Sequence, residues 1–259
     1  MNQNSGFLNN IPVVTRNLLI INLLFFLADL LLSNNGIMTR YLALHFVYSD
    51  QFMPHQIITY MFMHATRDMH GGIVFSHIFF NMFALFMFGR TLEAVWGPKR
   101  FLSFYLLTGI GAAALQLLIS YIRYTSLLAE LPPEVVPAIL EKLQTGVGFT
   151  TTELGYFDTI KSLYSIVNVP MVGASGAIFG ILAGFGMLFP NSELFIIPFP
   201  FPIKAKYFVI GYGILELSLG FADRAGDNVA HFAHLGGLIA GLIMLMYWKK
   251  KGTLHGKLF

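Results

Sequence analysis

VGASGAIFGILAGFGMLF, residues 172–189, is an apolar run with a serine, Ser175, near its start, between Gly173 and Gly176. A second apolar run, residues 229–248, carries Ala233-His234-Leu235-Gly236-Gly237 near its start. Both runs are of the length and composition of helices in a lipid bilayer. A serine and a histidine among small residues in two such helices indicate a nucleophile and its base working inside a membrane.

The composition supports lipid as the solvent for most of the chain. Of 259 residues, 56% are hydrophobic and 11% are charged, and the mean hydropathy is +0.67, values foreign to a soluble globule. The chain has no cysteine, which excludes thiolate nucleophiles, disulfides and cysteine-ligated metals. The net charge of +3 comes from basic residues at the ends of apolar runs, so we expect membrane orientation and no nucleic-acid partner.

We predict an all-α polytopic membrane protein with six transmembrane helices and one domain, residues 1–259. Its core is residues 13–248, between an N-terminal tail, 1–12, and a basic C-terminal tail, 249–259. The fifth span is the shortest and contains a charge, Glu216. The predicted spans are Val13–Leu32, Ile73–Trp96, Phe101–Tyr121, Val172–Phe189, Ala205–Leu219 and Val229–Trp248.

The loops predict the orientation of the spans. With six spans, the basic residues of the second and fourth loops and of the C-terminal tail fall on one side, so both termini should be cytoplasmic. On the opposite side, Ile37–Tyr60 mixes aromatic and polar residues and is expected to lie at the membrane interface. The long connection from Tyr121 to Met171 is either a functional elaboration or partly disordered. The basic residues are Arg90, Lys99, Arg100, Lys204, Lys206, Lys249, Lys250 and Lys251.

Ser175 and His234 are the candidate catalytic pair. Ser175 opens its predicted helix, where unpaired backbone N–H groups favour a developing negative charge. Glycines at four-residue steps, Gly176, Gly180 and Gly184, allow a close approach of another helix, as do Gly237 and Gly241 below His234. Docked together, the two faces would bring serine and histidine within about 2.6–3.2 Å. Alternatively, the glycines serve only helix packing and His234 binds a neighbouring carbonyl.

Four further side chains complete the candidate site. Phe179, one turn below Ser175, is placed to pack against the imidazole of His234 or to be a core aromatic. His77 and Asn81 lie four residues apart on one helix face, and are either oxyanion donors or an interhelical clamp. His231 lies one turn before His234. Since no aspartate in the spans is positioned for a triad, we predict a Ser–His dyad, with no metal and no cofactor.

The motifs resemble those of the rhomboid intramembrane serine proteases. The resemblance implies a six-helix bundle, Ser175 as nucleophile, His234 as base, and His77 and Asn81 as oxyanion donors. Gly173, Gly176, Gly237 and Gly241 would support the site. It also implies cleavage of single-span membrane proteins near or within their transmembrane segments. The matching stretches are Phe62-Met63-His64, His77 to Asn81, Gly89-Arg90 with Glu93 and Gly97, Gly173 to Gly176, and Ala233 to Gly237 with Gly241.

Two other functions are weighed against this one. A non-catalytic rhomboid-like protein would bind client membrane proteins without cleaving them, but the four candidate site residues speak against it. A metal enzyme or transporter could use His231, His234 and His77, but that interpretation lacks a carboxylate at the same depth. The expected location is the bacterial cytoplasmic membrane, the expected partners are lipid and transmembrane substrates, and the oligomeric state is left open.

Overall fold

The computed structural model describes residues 10–32, 36–68, 70–145, 155–195, 201–222 and 230–253. Most of these residues are helical, and one pair of two-residue strands, Glu193–Leu194 and Ile203–Lys204, is antiparallel. Most of the predicted N-terminal tail, most of the loop after the fifth span and the end of the C-terminal tail lie outside the described residues. The helices are α1 Val13–Leu32, α2 Ile37–Leu42, α3 Gln56–Thr59, α4 Ser76–Trp96, α5 Pro98–Ala129, α6 Val136–Thr145, α7 Phe157–Asn168, α8 Ser175–Leu188, α9 Ala205–Ala222 and α10 His231–Lys250.

Five of the described helices, α1, α4, α5, α9 and α10, are long and apolar enough to cross a bilayer, which makes this a multi-pass membrane protein. The first has the predicted bounds, and the third extends eight residues beyond the predicted Tyr121, to Ala129. The apolar helix α8 has 14 residues. At 1.5 Å per residue it rises about 21 Å, short of a hydrocarbon core of about 30 Å. A sixth complete span therefore stays a prediction.

A buried carboxylate fixes the start of α1 against α4. Glu93, 3% exposed, accepts hydrogen bonds from the backbone N–H groups of Val14 and Thr15 at 2.8 and 2.7 Å, and from the Thr15 hydroxyl at 2.8 Å. These backbone groups belong to the first turn of α1, which has no intrahelical partners for them. The Gly-Arg-x-x-Glu motif thus has a structural role here, at the opposite end of α4 from His77.

Glycines let α8, α5 and α10 pack backbone to backbone. A Cβ at Gly237 would overlap the carbonyl oxygen of Gly176, and a Cβ at Gly241 would lie 3.0 Å from the Cα of Gly180. The sequence spacing predicts that both glycine ridges form one α8–α10 contact. The structure divides them, because Cβ atoms at Gly176 and Gly180 would point at α5, where they would meet Ala112 and Thr108. Such small-residue contacts are the usual way for membrane helices to approach closely.

The long connection before α8 is an elaboration with a core of its own. The last turns of α5 pack with α6 and α7 around residues such as Tyr124, Ile139 and Leu163. Of the two alternatives for this connection, the described residues favour structure over disorder. The segment 37–60 contains the short helices α2 and α3, organised by buried Gln56, whose amide donates to the carbonyls of Gln51 and Arg40. Its position at the membrane interface stays a prediction.

Candidate active site

The structure brings Ser175 and His234 into hydrogen-bond contact. The Oγ atom of Ser175 lies 2.8 Å from Nε2 of His234. Ser175 is the first residue of α8, and His234 lies in the first turn of α10. His234 is 8% exposed and Ser175 is half-buried. The close approach of α8 and α10 at Gly176 and Gly237 sets this distance, because both glycines lie within one turn of the pair.

The chain segment that leads to Ser175 is held in an extended conformation. Met171 exchanges two backbone hydrogen bonds with Leu44, and the N–H of Gly173 donates to the carbonyl of Tyr60 at 3.0 Å. Gly173 has φ +129°, a region that L side chains rarely adopt. A Cβ there would also lie 2.9 Å from Nε2 of His77 and 3.5 Å from Oγ of Ser175. Glycine at 173 is therefore required both by the backbone conformation and by the space between His77 and Ser175.

His77 lies beside the pair, near the N-terminus of α4, and Asn81 follows one turn later on the same helix. The N–H of Ala65 donates to Nδ1 of His77 at 3.3 Å, which leaves the proton of the neutral ring on Nε2, the atom that faces Gly173 and Ser175. The side-chain amide of Asn81 donates to the carbonyl of His77 at 2.8 Å. Its amide nitrogen has a second hydrogen to offer. Nε2 of His77 is thus a donor next to Gly173 and the serine hydroxyl, and the second amide hydrogen of Asn81 is offered one turn further along α4.

Phe179 restricts the imidazole of His234. The two rings are stacked, with centroids 4.3 Å apart and an interplanar angle of 8°. On its other side Phe179 contacts Tyr212 of α9, with centroids 4.7 Å apart. A stacked aromatic ring limits the tilt of the histidine without using either of its nitrogens.

Comparison with known proteins identifies the family. The Rhomboid domain model matches residues 51–251, which include every candidate site residue. The chain belongs to the rhomboid family. It is 28% identical over 176 residues to Rhomboid protein 1, mitochondrial, of Saccharomyces cerevisiae, covering 68% of this chain and 39% of that protein. It is 28% identical over 176 residues to Rhomboid protease AarA of Providencia stuartii, covering 66% of this chain and 51% of that protein.

A third relative shows the same partial coverage. RHOMBOID-like protein 12, mitochondrial, of Arabidopsis thaliana is 26% identical over 192 residues, covering 73% of this chain and 45% of that protein. The matched part of this rhomboid chain thus spans between 39% and 51% of the three relatives.

His64, the last residue of the Phe-Met-His motif, is buried against the site of this rhomboid protein. Its ring lies edge-on to that of His77, with centroids 5.1 Å apart, and the residue is 2% exposed. Burial, followed by the nearby His77, lowers the pKa of His64 to about 3. His64 therefore stays uncharged at any physiological pH and brings no positive charge toward His77.

A carboxylate that the sequence motifs do not include lies at the site. Oε2 of Glu216, on α9, lies 2.6 Å from Nδ1 of His231 and 3.0 Å from Nδ1 of His234. All three residues are buried. The expectation that no carboxylate would orient His234 considered only aspartates, and Glu216 was treated as a weakness of the fifth span. Its signal was present in the sequence, because an ionisable residue inside a span is a functional candidate by default.

The carboxylate also removes one reason for rejecting a metal site. The ligand atoms of Glu216, His231 and His234 all lie within 4.8 Å of one another. The distances between these atoms nevertheless fit hydrogen-bonded or ion-paired groups better than ligands of a metal ion. Ligands held about 2.0–2.2 Å from a tetrahedral ion would be more than 3 Å apart, whereas Glu216 is 2.6 and 3.0 Å from the two imidazole nitrogens.

Proposed function

We propose that this rhomboid protein is an intramembrane serine endopeptidase that cleaves single-span membrane proteins within or near their transmembrane segments. The observation that carries the proposal is the 2.8 Å contact between Oγ of Ser175 and Nε2 of His234. A serine hydroxyl is a weak nucleophile until a base accepts its proton, and a neutral imidazole within hydrogen-bond reach is the usual base. Membership of the rhomboid family supports the same reaction class.

The reaction would proceed through an acyl-enzyme. Oγ of Ser175 attacks the scissile carbonyl carbon while its proton moves to Nε2 of His234, giving a tetrahedral intermediate. Collapse breaks the C–N bond, and His234 returns the proton to the leaving amine. A water molecule then attacks the ester carbonyl and gives a proton to Nε2. Collapse of this second intermediate breaks the ester bond, releases the acid and returns the proton to Ser175.

His77 and Asn81 would stabilise the negative oxygen of both intermediates. The Nε2–H of His77, the free amide hydrogen of Asn81 and the backbone N–H of Ser175 are the donors available. The backbone N–H lies at the start of α8, where the helix dipole also favours negative charge. In other enzymes one such donor is worth about 2.7–4 kcal/mol of transition-state stabilisation.

The shortness of α8 would place Ser175 below the membrane surface. If Leu188 lies at one boundary of the hydrocarbon layer, a helix of 14 residues ends about 9 Å before the other. Ser175 would then be reached from water through a cavity rather than through lipid. A substrate helix must unwind locally to present its carbonyl, so substrates should carry helix-destabilising residues near the cleavage site.

The proposed membrane orientation follows from the positions of the basic residues. We place both termini in the cytoplasm of a bacterial cell, with six crossings of the cytoplasmic membrane by one domain, residues 1–259. Basic residues at Arg90, Lys99 and Arg100 support this orientation, together with the lysines before α9 and at the end of α10.

The test combines covalent labelling with cleavage. The purified protein, reconstituted in lipid vesicles with a single-span substrate, should cleave it and should react with a fluorophosphonate probe at Ser175. Ser175→Ala should abolish both activities, and His234→Ala should reduce both by at least about 10³-fold, with unchanged thermal unfolding as the control for folding. Substantial cleavage by Ser175→Ala would rule out the proposed nucleophile. Substrate binding without cleavage by the wild-type protein would instead identify a client-binding protein.

A further inference from the structure

Glu216 is an exception on its own helix. Among the 18 residues of α9, only Ala205 and Glu216 are buried, and Glu216 is 3% exposed. Its neighbours Ile214, Leu215 and Leu217 are exposed, as expected for a helix facing lipid. A buried carboxylate is destabilising by several kcal/mol unless it is paired. An apolar residue would pack at this position without that cost, so the reason for a carboxylate lies in its partners.

Both partners of Glu216 are histidines of α10. His231 makes the hydrogen bond, from Nδ1 to Oε2, at 2.6 Å. Nδ1 of His234 lies 3.0 Å from the same oxygen, an ion-pair distance, although its direction falls outside hydrogen-bond geometry in this state. Catalytic hydrogen bonds are commonly loose without substrate and tighten when it binds. Glu216 thus faces one nitrogen of His234 while Ser175 faces the other.

We propose that Glu216 is a positioning residue, which holds His234 in the tautomer and orientation that the reaction needs while His231 anchors the carboxylate. The proposal rests on the proposed peptidase function. A carboxylate opposite Nδ1 keeps the proton of the neutral ring on that nitrogen, and Nε2 is then free to accept the proton of Ser175. The membrane site is accordingly a Ser175–His234–Glu216 triad with His231 behind it.

The charges balance at each step. When Ser175 attacks, its proton moves to Nε2 and the imidazole becomes a cation, 3.0 Å from the carboxylate. The Nδ1 proton stays on His234, and Glu216 remains ionised throughout. The Nε2 proton then leaves with the amine. Glu216 therefore stabilises the charged form of His234 at the moment it is created and takes part in no bond exchange.

Few other ionisable groups face His234. From α9 there are Glu216 and, next to Phe179, Tyr212. From α4 there is His77, and from α10 itself His231. Among the described residues, Glu216 is the only acidic group of this set. Removing its charge should therefore change the pH dependence of the reaction more than any other single substitution around the ring.

The first variant is Glu216→Gln, which keeps the shape and removes the charge. We expect kcat to fall about 10- to 100-fold with KM unchanged, less than the roughly 10⁴-fold seen for the equivalent change in a soluble triad. The loss is smaller because Phe179 also holds the ring. The acid limb of the pH–rate profile should move to lower pH, because the protonated imidazole loses its nearby carboxylate. An unchanged kcat and an unchanged acid limb would overturn the proposal.

A double variant separates positioning from structure. Glu216→Leu together with His231→Leu removes the whole buried pair, which is often neutral or stabilising for folding. We expect thermal unfolding at or above the wild-type temperature and a kcat at least about tenfold below wild type. Wild-type kcat in this stable double variant would show that the pair serves folding alone. The variant also keeps the proposal testable if Glu216→Gln fails to fold.

Two controls distinguish this proposal from a metal site and from failure of the proposed peptidase function. Loss of wild-type cleavage in EDTA, restored by Zn²⁺, would make the cluster a metal site and overturn the positioning role; full activity in EDTA is expected. Fluorophosphonate labelling of Ser175 reports the proposed function separately. If the wild type is labelled and active and Glu216→Gln is fully active too, only the positioning role is ruled out. If the wild type is neither labelled nor active, the peptidase function itself is ruled out.

Discussion

The two helices that follow each other in the second half of the chain, α8 and α9, are packed in opposite ways. In α8, 11 of 14 residues are buried, and six of the 14 are glycine or alanine. In α9, two of 18 residues are buried, and large side chains such as Tyr207, Ile210 and Ile214 are each about 60% exposed. One helix is enclosed by protein, and the other presents most of its surface outward.

The two helices also contribute to the site differently. The central helix supplies Ser175 at its first residue, in a position fixed by backbone contacts with α5 and α10. The peripheral helix supplies Glu216, its one buried ionisable group, which in the proposed mechanism would act on Ser175 through His234. A displacement of α8 would therefore remove the reacting atom, whereas a displacement of α9 would only loosen the orientation of the base. Substitutions in the two regions should differ in size accordingly.

The largest effect is expected where α8 meets α10. Gly237→Ala places a methyl group on the carbonyl oxygen of Gly176, a backbone atom that cannot rotate away. We expect unfolding in detergent to be easier by about 1–3 kcal/mol or more. Cleavage should fall by at least about 100-fold, because a shift of about 1 Å in a catalytic contact has that effect. Thermal unfolding and kcat on one substrate measure the two consequences.

A stable and active Gly237→Ala would contradict the contact between the two backbones. A matched control is Gly213→Ala on α9, whose new Cβ would lie 3.4 Å from Cδ1 of Leu238, an ordinary van der Waals distance. This control faces the same helix, α10, from the peripheral side. It should leave kcat within about twofold and should not lower the unfolding free energy, which helix propensity would raise by up to about 1 kcal/mol.

An intermediate effect is expected at Phe179, which lies between the two regions. Its ring is stacked on His234 and also contacts Tyr212 of α9. Phe179→Leu keeps an apolar side chain and removes the stacking, which is worth about 0.5–1.5 kcal/mol for aromatic pairs. If that energy holds the imidazole in place, kcat should fall up to about tenfold.

The substrate affinity distinguishes this role from simple packing. KM should be unchanged, since Phe179 lies behind the imidazole rather than toward the Ser175 hydroxyl. A lower unfolding temperature with wild-type kcat would make Phe179 a core residue only. That result would also weaken the link between α9 and the base.

The contrast between α8 and α9 explains what could be predicted from the sequence. Spans and family motifs are local patterns, so the fold class, the bounds of α1 and the residues facing Ser175 were accessible. The direction of the glycine contacts was not, because Gly176 and Gly180 touch α5 through a rotation of α8 that periodicity alone leaves open. Glu216 was missed for a related reason. On a helix with an almost continuous apolar surface, one acidic residue gives no periodicity, and only the tertiary contact identifies its partners.

The smallest effect is expected on the outer surface of α9. Gly211 is exposed, and a Cβ there would meet nothing within 4 Å. Gly211→Ala should therefore leave kcat within about twofold and raise the unfolding free energy by up to about 1 kcal/mol, the difference in helix propensity between the two residues. Unfolding in detergent and cleavage in vesicles provide both measurements. A fall in kcat or in stability as large as that expected for Gly237→Ala would mean that this surface is covered in the membrane, by substrate or by a second copy of the chain. Measuring KM with substrate and unfolding without it would separate these two cases. Only a substrate contact would raise KM while leaving the unfolding free energy unchanged.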